Sequence, residues 1–217
     1  MSIAAVLFDL DGVIVDTARF HYLAWKRLAD TLDIPFTEKH NERLKGVSRM
    51  ASLGILLSLS GKPRNNSPEE LAQLADTKNT WYVEYINTLT ESDILPGFMD
   101  CISWFRNNGL KTAIVSASKN TRLIVDRLGI QPLFDTIVDG TRVQNAKPDP
   151  EVFLTAAADL SVHPGQCLVI EDAQAGIQGA IAAGMRSVGI GDSTILTGAT
   201  LIVPGLDRLD PEIIKDL

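Results

Sequence analysis

The sequence has few cysteines and no long run of apolar residues. Its 217 residues include two cysteines, Cys101 and Cys167, too few for a secreted disulfide framework and not spaced as metal ligands. A reducing, cytoplasmic compartment is therefore expected. No window reaches the roughly 20 uninterrupted apolar residues that a membrane span requires. Asp9 and Asp11 interrupt the first apolar run, which lacks the basic residues of a targeting signal, so no membrane association is expected.

Basic charge is also scarce. The 20 Lys and Arg residues stand against 27 Asp and Glu residues, and the net charge is −7. Nucleic-acid binding depends on a basic surface that neutralises phosphates, so this balance argues against a DNA or RNA partner. The sequence also lacks internal repeats and low-complexity tracts, as expected of an ordinary globular chain.

What the sequence does contain is an alternation of strand and helix patterns. Short runs rich in Val and Ile predict buried strands over residues 3–10, 110–115, 136–138, 167–170 and 187–190. Helical patterns lie between them, over residues 99–106, 121–128, 151–160 and 173–183. Such alternation favours parallel pairing with right-handed crossovers. We predict an α/β fold with a Rossmann-like open parallel sheet and helices on both faces.

Residues 18–90 break this alternation, because they carry helical patterns and no convincing strand. The predicted helices cover residues 18–32, 38–44, 49–59 and 68–89. The last begins with a capping box and carries an apolar stripe at helical spacing that includes Tyr82. We predict a helical cap domain over residues 18–90, inserted into a core domain formed by residues 1–17 and 91–217. Two connecting segments would permit a hinge.

Two acidic pairs follow two of the predicted strands. Asp9 and Asp11 would project to one face of an extended chain, at the sheet edge where open α/β folds bind ligands. Glu171 and Asp172 follow another strand. Crowded carboxylates require a cation or raised pKa values, and such an oxygen-rich site suits Mg²⁺. Two simpler interpretations stay open, an acidic turn at Asp11 and Gly12, and a helix N-cap at Asp172.

Two further segments offer partners for an anion. The strand over residues 110–115 is followed by Ser116-Ala117-Ser118-Lys119-Asn120, which provides hydroxyls, backbone N–H groups and a helix N-terminus. Lys147 precedes a proline that holds its backbone extended. A cation beside the carboxylates would lower their pKa values and neutralise an incoming phosphoryl group. A plain helix cap and a solvated surface lysine are the alternatives.

The order of these segments resembles the motifs of the haloacid dehalogenase superfamily of Mg²⁺-dependent phosphotransferases. The segments are Asp9-Leu10-Asp11-Gly12, Ser116, Lys147 and Glu171-Asp172. The resemblance covers nearly the whole chain, the helical insertion included. Asp11 favours phosphoryl transfer over dehalogenation. Within the superfamily, the sequence is most similar to the β-phosphoglucomutase subfamily, through residues 8–14, 16–18, 44–49, 78–79, 116–120 and 171–177.

That resemblance implies a mutase that interconverts β-D-glucose 1-phosphate and D-glucose 6-phosphate through a phospho-aspartyl enzyme and β-glucose 1,6-bisphosphate. Asp9 would be the nucleophile and Asp11 the general acid and base. The implied catalytic residues are Asp9, Asp11, Ser116 and Lys147, assisted by the Ala117 amide. The implied Mg²⁺ ligands are Asp9, the Asp11 carbonyl, Glu171 and Asp172.

The resemblance also implies how a sugar phosphate binds. A mutase must hold the phosphate that is not being transferred, and the planar fork of Arg49 suits this task. The implied substrate-binding residues are Thr17, His21, Trp25, Leu44, Gly46, Val47, Ser48, Arg49, Ser52, Lys78, Ala117, Ser118, Lys119 and Asn120. Without a site, Arg49 would be an exposed residue at a helix start, Trp25 a core residue and His21 a hydrogen-bonded histidine. The expected partner is a small sugar phosphate bound by a monomer.

Two other functions compete with the mutase. One is an Mg²⁺-dependent phosphatase on the same scaffold, acting on a sugar phosphate or phosphoglycolate, with water as the acceptor. The other is a non-catalytic phosphate sensor, which the intact Asp9, Asp11 and Lys147 disfavour. The residues expected on the cap, above all Arg49, favour the mutase.

Overall fold

The sheet has six parallel strands in the order β3-β2-β1-β4-β5-β6. The computed structural model describes residues 2–44, 47–61 and 65–215. The strands are β1 (Ala5–Phe8), β2 (Lys111–Val115), β3 (Thr136–Val138), β4 (Cys167–Glu171), β5 (Arg186–Ile190) and β6 (Leu201–Val203). The predicted open α/β sheet is confirmed. The strand β6 was not predicted, although Leu201–Val203 is an apolar run as long as that of β3.

The helices follow the predicted pattern closely. They are α1 (Ala18–Thr31), α2 (Glu38–Asn41), α3 (Arg49–Ser58), α4 (Pro68–Ile86), α5 (Phe98–Asn107), α6 (Thr121–Leu128), α7 (Glu151–Leu160) and α8 (Gln174–Ala182). The segment predicted as one helix over residues 38–44 is a single α-helical turn followed by a 3₁₀ turn, Glu42–Leu44. In the part of the chain that the structure describes, no helix is long and apolar enough to cross a membrane.

The sheet is buried on both faces. Alternate side chains of β1 point in opposite directions: Val6 and Phe8 belong to one hydrophobic cluster, and Ala5 and Leu7 belong to another. The ring of Phe8 packs edge-on against Phe98 of α5, with 5.7 Å between ring centroids. Burial on both faces explains why these strands are continuous apolar runs, as is typical of parallel sheets.

Helices α1 to α4 lie between β1 and α5 in the chain, and no strand occurs among the described residues of 18–90. Their facing sides form a third hydrophobic cluster that includes Trp25, Leu28, Leu53 and Leu56. The two segments that connect these helices to the sheet lie side by side, because Val15 bridges Ile94. The N–H of Leu95 also donates to the carbonyl of Ile14, at 2.9 Å.

Candidate active site

Carboxylates from two neighbouring strands meet at one edge of the sheet. Asp9 directly follows β1, Glu171 is the last residue of β4, and Asp172 comes next. Because β1 and β4 are parallel neighbours, their carboxyl ends place oxygens of these three side chains within 4.8 Å of one another. The N-cap of α8 is Ala173, so the alternative that Asp172 caps this helix is wrong. The predicted convergence of Asp9 with Glu171 and Asp172 is confirmed.

Lys147 lies among these carboxylates and is 3% exposed. Its Nζ donates to Oδ1 of Asp9 at 2.5 Å, to Oε2 of Glu171 at 2.8 Å and to the carbonyl of Val115 at 3.1 Å. Burial alone would lower the pKa of Lys147, but the Asp9 and Glu171 carboxylates outweigh burial and raise it. The amine is therefore charged, and the alternative of a solvated surface lysine is wrong.

One lysine does not balance the negative charge of this edge. Burial, followed by the charges of Asp9 and Asp172, raises the pKa of Asp11 to about 8. Burial and Asp9 likewise raise the pKa of Glu171 well above its ordinary value. Carboxyl groups that lie close together, and whose ionisation is therefore unfavourable, are typical of a binding site for a divalent cation such as Mg²⁺. Asp9, Glu171 and Asp172 are the side chains that could hold it.

The loop after β2 presents polar groups at the same edge. The Ser116 hydroxyl accepts from the N–H of Ser118, and the Ser118 hydroxyl accepts from the N–H of Asn120, each at 3.1 Å. The next loop crosses it closely at Gly140, where a Cβ would lie 2.3 Å from the Ala117 carbonyl oxygen. A glycine is needed at that crossing, which fixes the course of the loop before α6.

A cavity of about 470 Å³ lies between this edge and helices α1, α3 and α4, a volume that suits a small-molecule ligand. Of the predicted site residues, it is lined by Asp9, Asp11, His21, Trp25, Leu44, Val47, Ser48, Arg49, Ser52, Lys78, Ala117, Ser118, Lys119, Asn120 and Asp172. Four other predicted site residues are buried and do not line the cavity: Thr17, Ser116, Lys147 and Glu171. Gly46 lies outside the described residues.

On the helical side of the cavity, Lys78 is enclosed by aromatic rings. Its Nζ lies 2.9 Å from Nδ1 of His21, 4.7 Å from the centre of the Trp25 ring and 4.5 Å from that of Tyr82. Burial and Lys78 hold the pKa of His21 well below its ordinary value, so the neutral ring accepts at Nδ1. Burial lowers the pKa of Lys78 to about 7. Trp25 serves both the hydrophobic cluster and the cavity wall.

Asn79 belongs to the site and was not predicted as a site residue from the sequence. Its Oδ1 accepts from a guanidinium nitrogen of Arg49 and from Nδ2 of Asn120, both at 2.8 Å. These contacts join α3, α4 and the loop before α6. Arg49 is therefore more than an exposed residue at a helix start. The available signal was the Lys78-Asn79 pair, which resembles the subfamily. Gln144 and Asn145 also line the cavity, and their place just before Lys147 was the only hint.

A parallel sheet with a helical insertion after β1, and with carboxylates around a buried lysine, defines a class of aspartate-based phosphotransferases. The chain belongs to the haloacid dehalogenase-like hydrolase family, whose profile matches residues 3–184. It is 44% identical over 212 residues to a β-phosphoglucomutase of Bacillus subtilis, covering 98% of this chain and 94% of that protein.

Two further comparisons agree with this family. A crystal structure of a β-phosphoglucomutase from Clostridium difficile matches with a TM-score of 0.95 and 43% identity, covering 99% of this chain and 96% of that one. A phosphorylated carbohydrates phosphatase of Thermotoga maritima is 28% identical over 186 residues, covering 85% of this chain and 83% of that protein. Mutases and phosphatases thus share this scaffold.

Proposed function

We propose that this chain is a β-phosphoglucomutase that interconverts β-D-glucose 1-phosphate and D-glucose 6-phosphate through phospho-Asp9 and β-glucose 1,6-bisphosphate. The observation that carries the proposal is a second polar cluster in the cavity that Asp9 lines. Arg49, Asn79 and Asn120 form it through the hydrogen bonds of Asn79. The Arg49 guanidinium, which also pairs with the exposed Asp76 at 3.6 Å, suits a second phosphate. The similarity to the two β-phosphoglucomutases supports the same conclusion.

The chemistry begins at Asp9. Lys147 binds Oδ1, which leaves Oδ2 to attack phosphorus: the Asp9 O–P bond forms as the bond from phosphorus to the sugar oxygen breaks. Lys147 stays charged and offsets the negative charge of the nucleophile and of the phosphoryl oxygens. Ser116 and the Ala117 amide would complete the binding of that group, as the family resemblance implies.

Asp11 would transfer the proton to and from the sugar oxygen. It lines the cavity, and burial raises the pKa of its carboxyl group to about 8, which favours the protonated form. It would donate that proton to the departing sugar oxygen, and in the reverse transfer it would accept the proton of the attacking sugar hydroxyl. The proton thus returns to Asp11 in each complete cycle.

The carboxylates of Asp9, Glu171 and Asp172 would hold Mg²⁺, with the Asp11 carbonyl as the fourth protein ligand that the resemblance implies. The cation supplies positive charge for the phosphoryl oxygens. Its binding would also offset the charges of Asp9 and Asp172, which contribute to the raised pKa values of Asp11 and Glu171, whereas burial, the largest cause for both groups, would remain.

We also propose that residues 18–90 act as a cap domain on a core formed by residues 1–17 and 91–217. The bisphosphate intermediate must present either phosphate to Asp9, so the cavity has to open between the two transfers. The paired connecting segments at Val15 and Ile94 are the natural hinge. The monomeric state and the cytoplasmic location remain predictions.

The first prediction concerns the activity itself. With Mg²⁺, β-glucose 1-phosphate and a trace of β-glucose 1,6-bisphosphate, the protein should form glucose 6-phosphate with little free phosphate, because the sugar hydroxyl and not water accepts the phosphoryl group. Both products are measured in the same reaction. Stoichiometric release of phosphate without glucose 6-phosphate would establish the phosphatase instead, and absence of both would favour the phosphate sensor.

The second prediction separates mutase from phosphatase through Arg49. Arg49→Ala removes a charge-assisted contact to the second phosphate, a loss on the order of 2 to 3 kcal/mol. Mutase kcat/KM should therefore fall roughly 30-fold to 150-fold. Cleavage of acetyl phosphate, which has no second phosphate, should change much less. Arg49→Lys should recover only part of the loss, because an ammonium group keeps the charge without the fork.

Arg27→Ala is the matched control for Arg49. Arg27 lies on α1, stacks on the ring of Trp81 at 4.2 Å and pairs with Glu84 at 3.6 Å. Its removal should leave mutase kcat/KM within about twofold. Equal losses of Arg49→Ala on both substrates would place Arg49 in folding or general catalysis. No loss on either would argue for the phosphatase.

A further inference from the structure

Asn41 places a buried amide in the wall of the cavity. The residue is the last of α2, is 7% exposed and lines the cavity, although it was not predicted as a site residue from the sequence. Its backbone N–H donates to the carbonyl of Thr37 at 3.1 Å. Within residues 2–44, 47–61 and 65–215, its side chain forms no hydrogen bond. Burying an unpaired amide is costly, so its partner has to come from the cavity.

Asn41 shares the helical side of the cavity with apolar residues. Trp25, Leu44 and Ala75 belong to the third hydrophobic cluster and also line the cavity. Among the described residues, Asn41 and Ser52 are the uncharged polar residues that are both buried and part of this lining. An apolar wall with a few uncharged hydrogen-bonding groups is typical of a site for a small polar ligand. A leucine at position 41 would match the wall without the cost of burying an amide, so the amide needs an explanation.

The positive charges that suit phosphates lie elsewhere in the site. Lys147 lies among the carboxylates of the sheet edge, and Arg49 lies on α3, where it binds Asn79. A phosphate is bound best by charged donors, so the two phosphates of a sugar bisphosphate fit Lys147 and Arg49. The uncharged amide of Asn41 both donates and accepts, as a hydroxyl group does. A hydroxyl group is therefore the ligand that matches Asn41.

We propose that Asn41 is a specificity-determining residue whose amide forms a hydrogen bond with a hydroxyl group of the sugar ring. This inference deepens the proposed mutase function and rests on it, because that function places a hexose in the cavity. The hydroxyl at carbon 6 accepts the phosphoryl group, which leaves the hydroxyls at carbons 2, 3 and 4 for Asn41. An analogue that lacks the bound hydroxyl leaves the amide unpaired and is rejected.

Asn41→Leu and Asn41→Ala test the proposal. Leucine keeps the approximate shape of asparagine and removes its hydrogen-bonding atoms, and alanine removes the same atoms without filling the space. Mutase kcat/KM should fall about 10-fold to 100-fold in both variants, since a sugar hydroxyl loses its partner. Cleavage of acetyl phosphate, which has no sugar, should stay within about twofold. The thermal unfolding midpoint of Asn41→Leu should equal or exceed that of the wild type, because an unpaired buried amide disappears.

Asn107→Leu is the matched control. Asn107 is exposed at the end of α5, and the same substitution there should leave both activities unchanged. Unchanged mutase activity of Asn41→Leu would overturn the proposal. A loss in Asn41→Leu without a loss in Asn41→Ala would also overturn it, because leucine would then simply obstruct the cavity. Equal losses on both substrates would assign Asn41 to folding or general catalysis instead.

Deoxy analogues identify the hydroxyl that Asn41 binds. The 2-deoxy, 3-deoxy and 4-deoxy analogues of β-glucose 1-phosphate are compared in the wild type and in Asn41→Leu. At least one analogue should react more slowly than the parent sugar in the wild type and lose no more than about twofold further in the variant, because its hydrogen bond is already missing. The other analogues should show the full loss. The full loss on all three analogues would overturn the proposal.

Failure of the proposed function is detected separately. If the wild type releases phosphate from β-glucose 1-phosphate and forms no glucose 6-phosphate, the mutase proposal fails, and the deoxy series is measured on phosphate release. If the wild type forms neither product, the affinity for β-glucose 1-phosphate is measured by titration calorimetry. In both cases, a loss in Asn41→Leu that the matching deoxy analogue removes supports the contact with the sugar, and its absence overturns that contact.

Discussion

Asp9→Asn should abolish phosphoryl transfer and leave the fold intact. The amide is nearly isosteric with the carboxylate, and its oxygen can still accept from Lys147, which lies 2.5 Å from Oδ1 of Asp9. An amide cannot become an acyl phosphate, however, so the first half of the reaction is lost. With labelled β-glucose 1,6-bisphosphate, the wild type should retain protein-bound label after a rapid acid quench, and the variant should retain none.

The same experiment needs a matched control and a measure of folding. Asp126→Asn makes the same chemical change on the exposed face of α6 and should label like the wild type. Circular dichroism and the unfolding midpoint should show that Asp9→Asn is folded. A folded Asp9→Asn protein that still turns over substrate would eliminate Asp9 as the nucleophile, whatever other group took its place.

Asp11→Asn should slow turnover by at least about 10² through the loss of acid–base assistance. Burial, with the charges of Asp9 and Asp172, raises the pKa of Asp11 to about 8, which favours the protonated form that can donate to the leaving oxygen. An asparagine side chain cannot act as this acid or base. The loss should fall on the chemical step, which single-turnover measurements with the bisphosphate isolate.

Mg²⁺ binding distinguishes a chemical defect of Asp11→Asn from a damaged site. The family resemblance assigns the backbone carbonyl of Asp11 to the metal, and the side-chain substitution keeps that carbonyl. Titration with Mg²⁺ should therefore give an affinity close to that of the wild type. Single-turnover rates within a few-fold of the wild type would remove the acid–base role from Asp11.

The elements of the fold could be predicted because each carries a local pattern. The helices at residues 121–128 and 151–160 were predicted to the residue, since a C-terminal glycine and a preceding proline mark their boundaries. The strands read as apolar runs because both faces of the sheet are buried. The short strand β6 was missed although its three residues are apolar, because a run of this length does not by itself require a strand, even though β3 was predicted from one.

The acidic residues at the sheet edge could also be predicted from the sequence. Carboxylates that directly follow parallel strands must emerge at the same edge of a sheet, so Asp9 and Glu171 were candidates for one site. Which strands are neighbours is a tertiary property. The adjacency of β1 and β4 is what brings these carboxylates together, and it also admits Lys147 between them.

By itself, the sequence determined the α/β alternation, the helical insertion and the acidic motifs, because periodicity, capping and strand-end chemistry are local. Only the tertiary structure decided what individual side chains of α4 do. Periodicity places Tyr82 in an apolar stripe and does not distinguish its hydroxyl from the ring. Asn79 reads as an ordinary polar residue of a helix. The contacts of Asn79 with Arg49 and Asn120, and the packing of the Tyr82 ring against His21, depend on how α4 packs against elements distant in the chain.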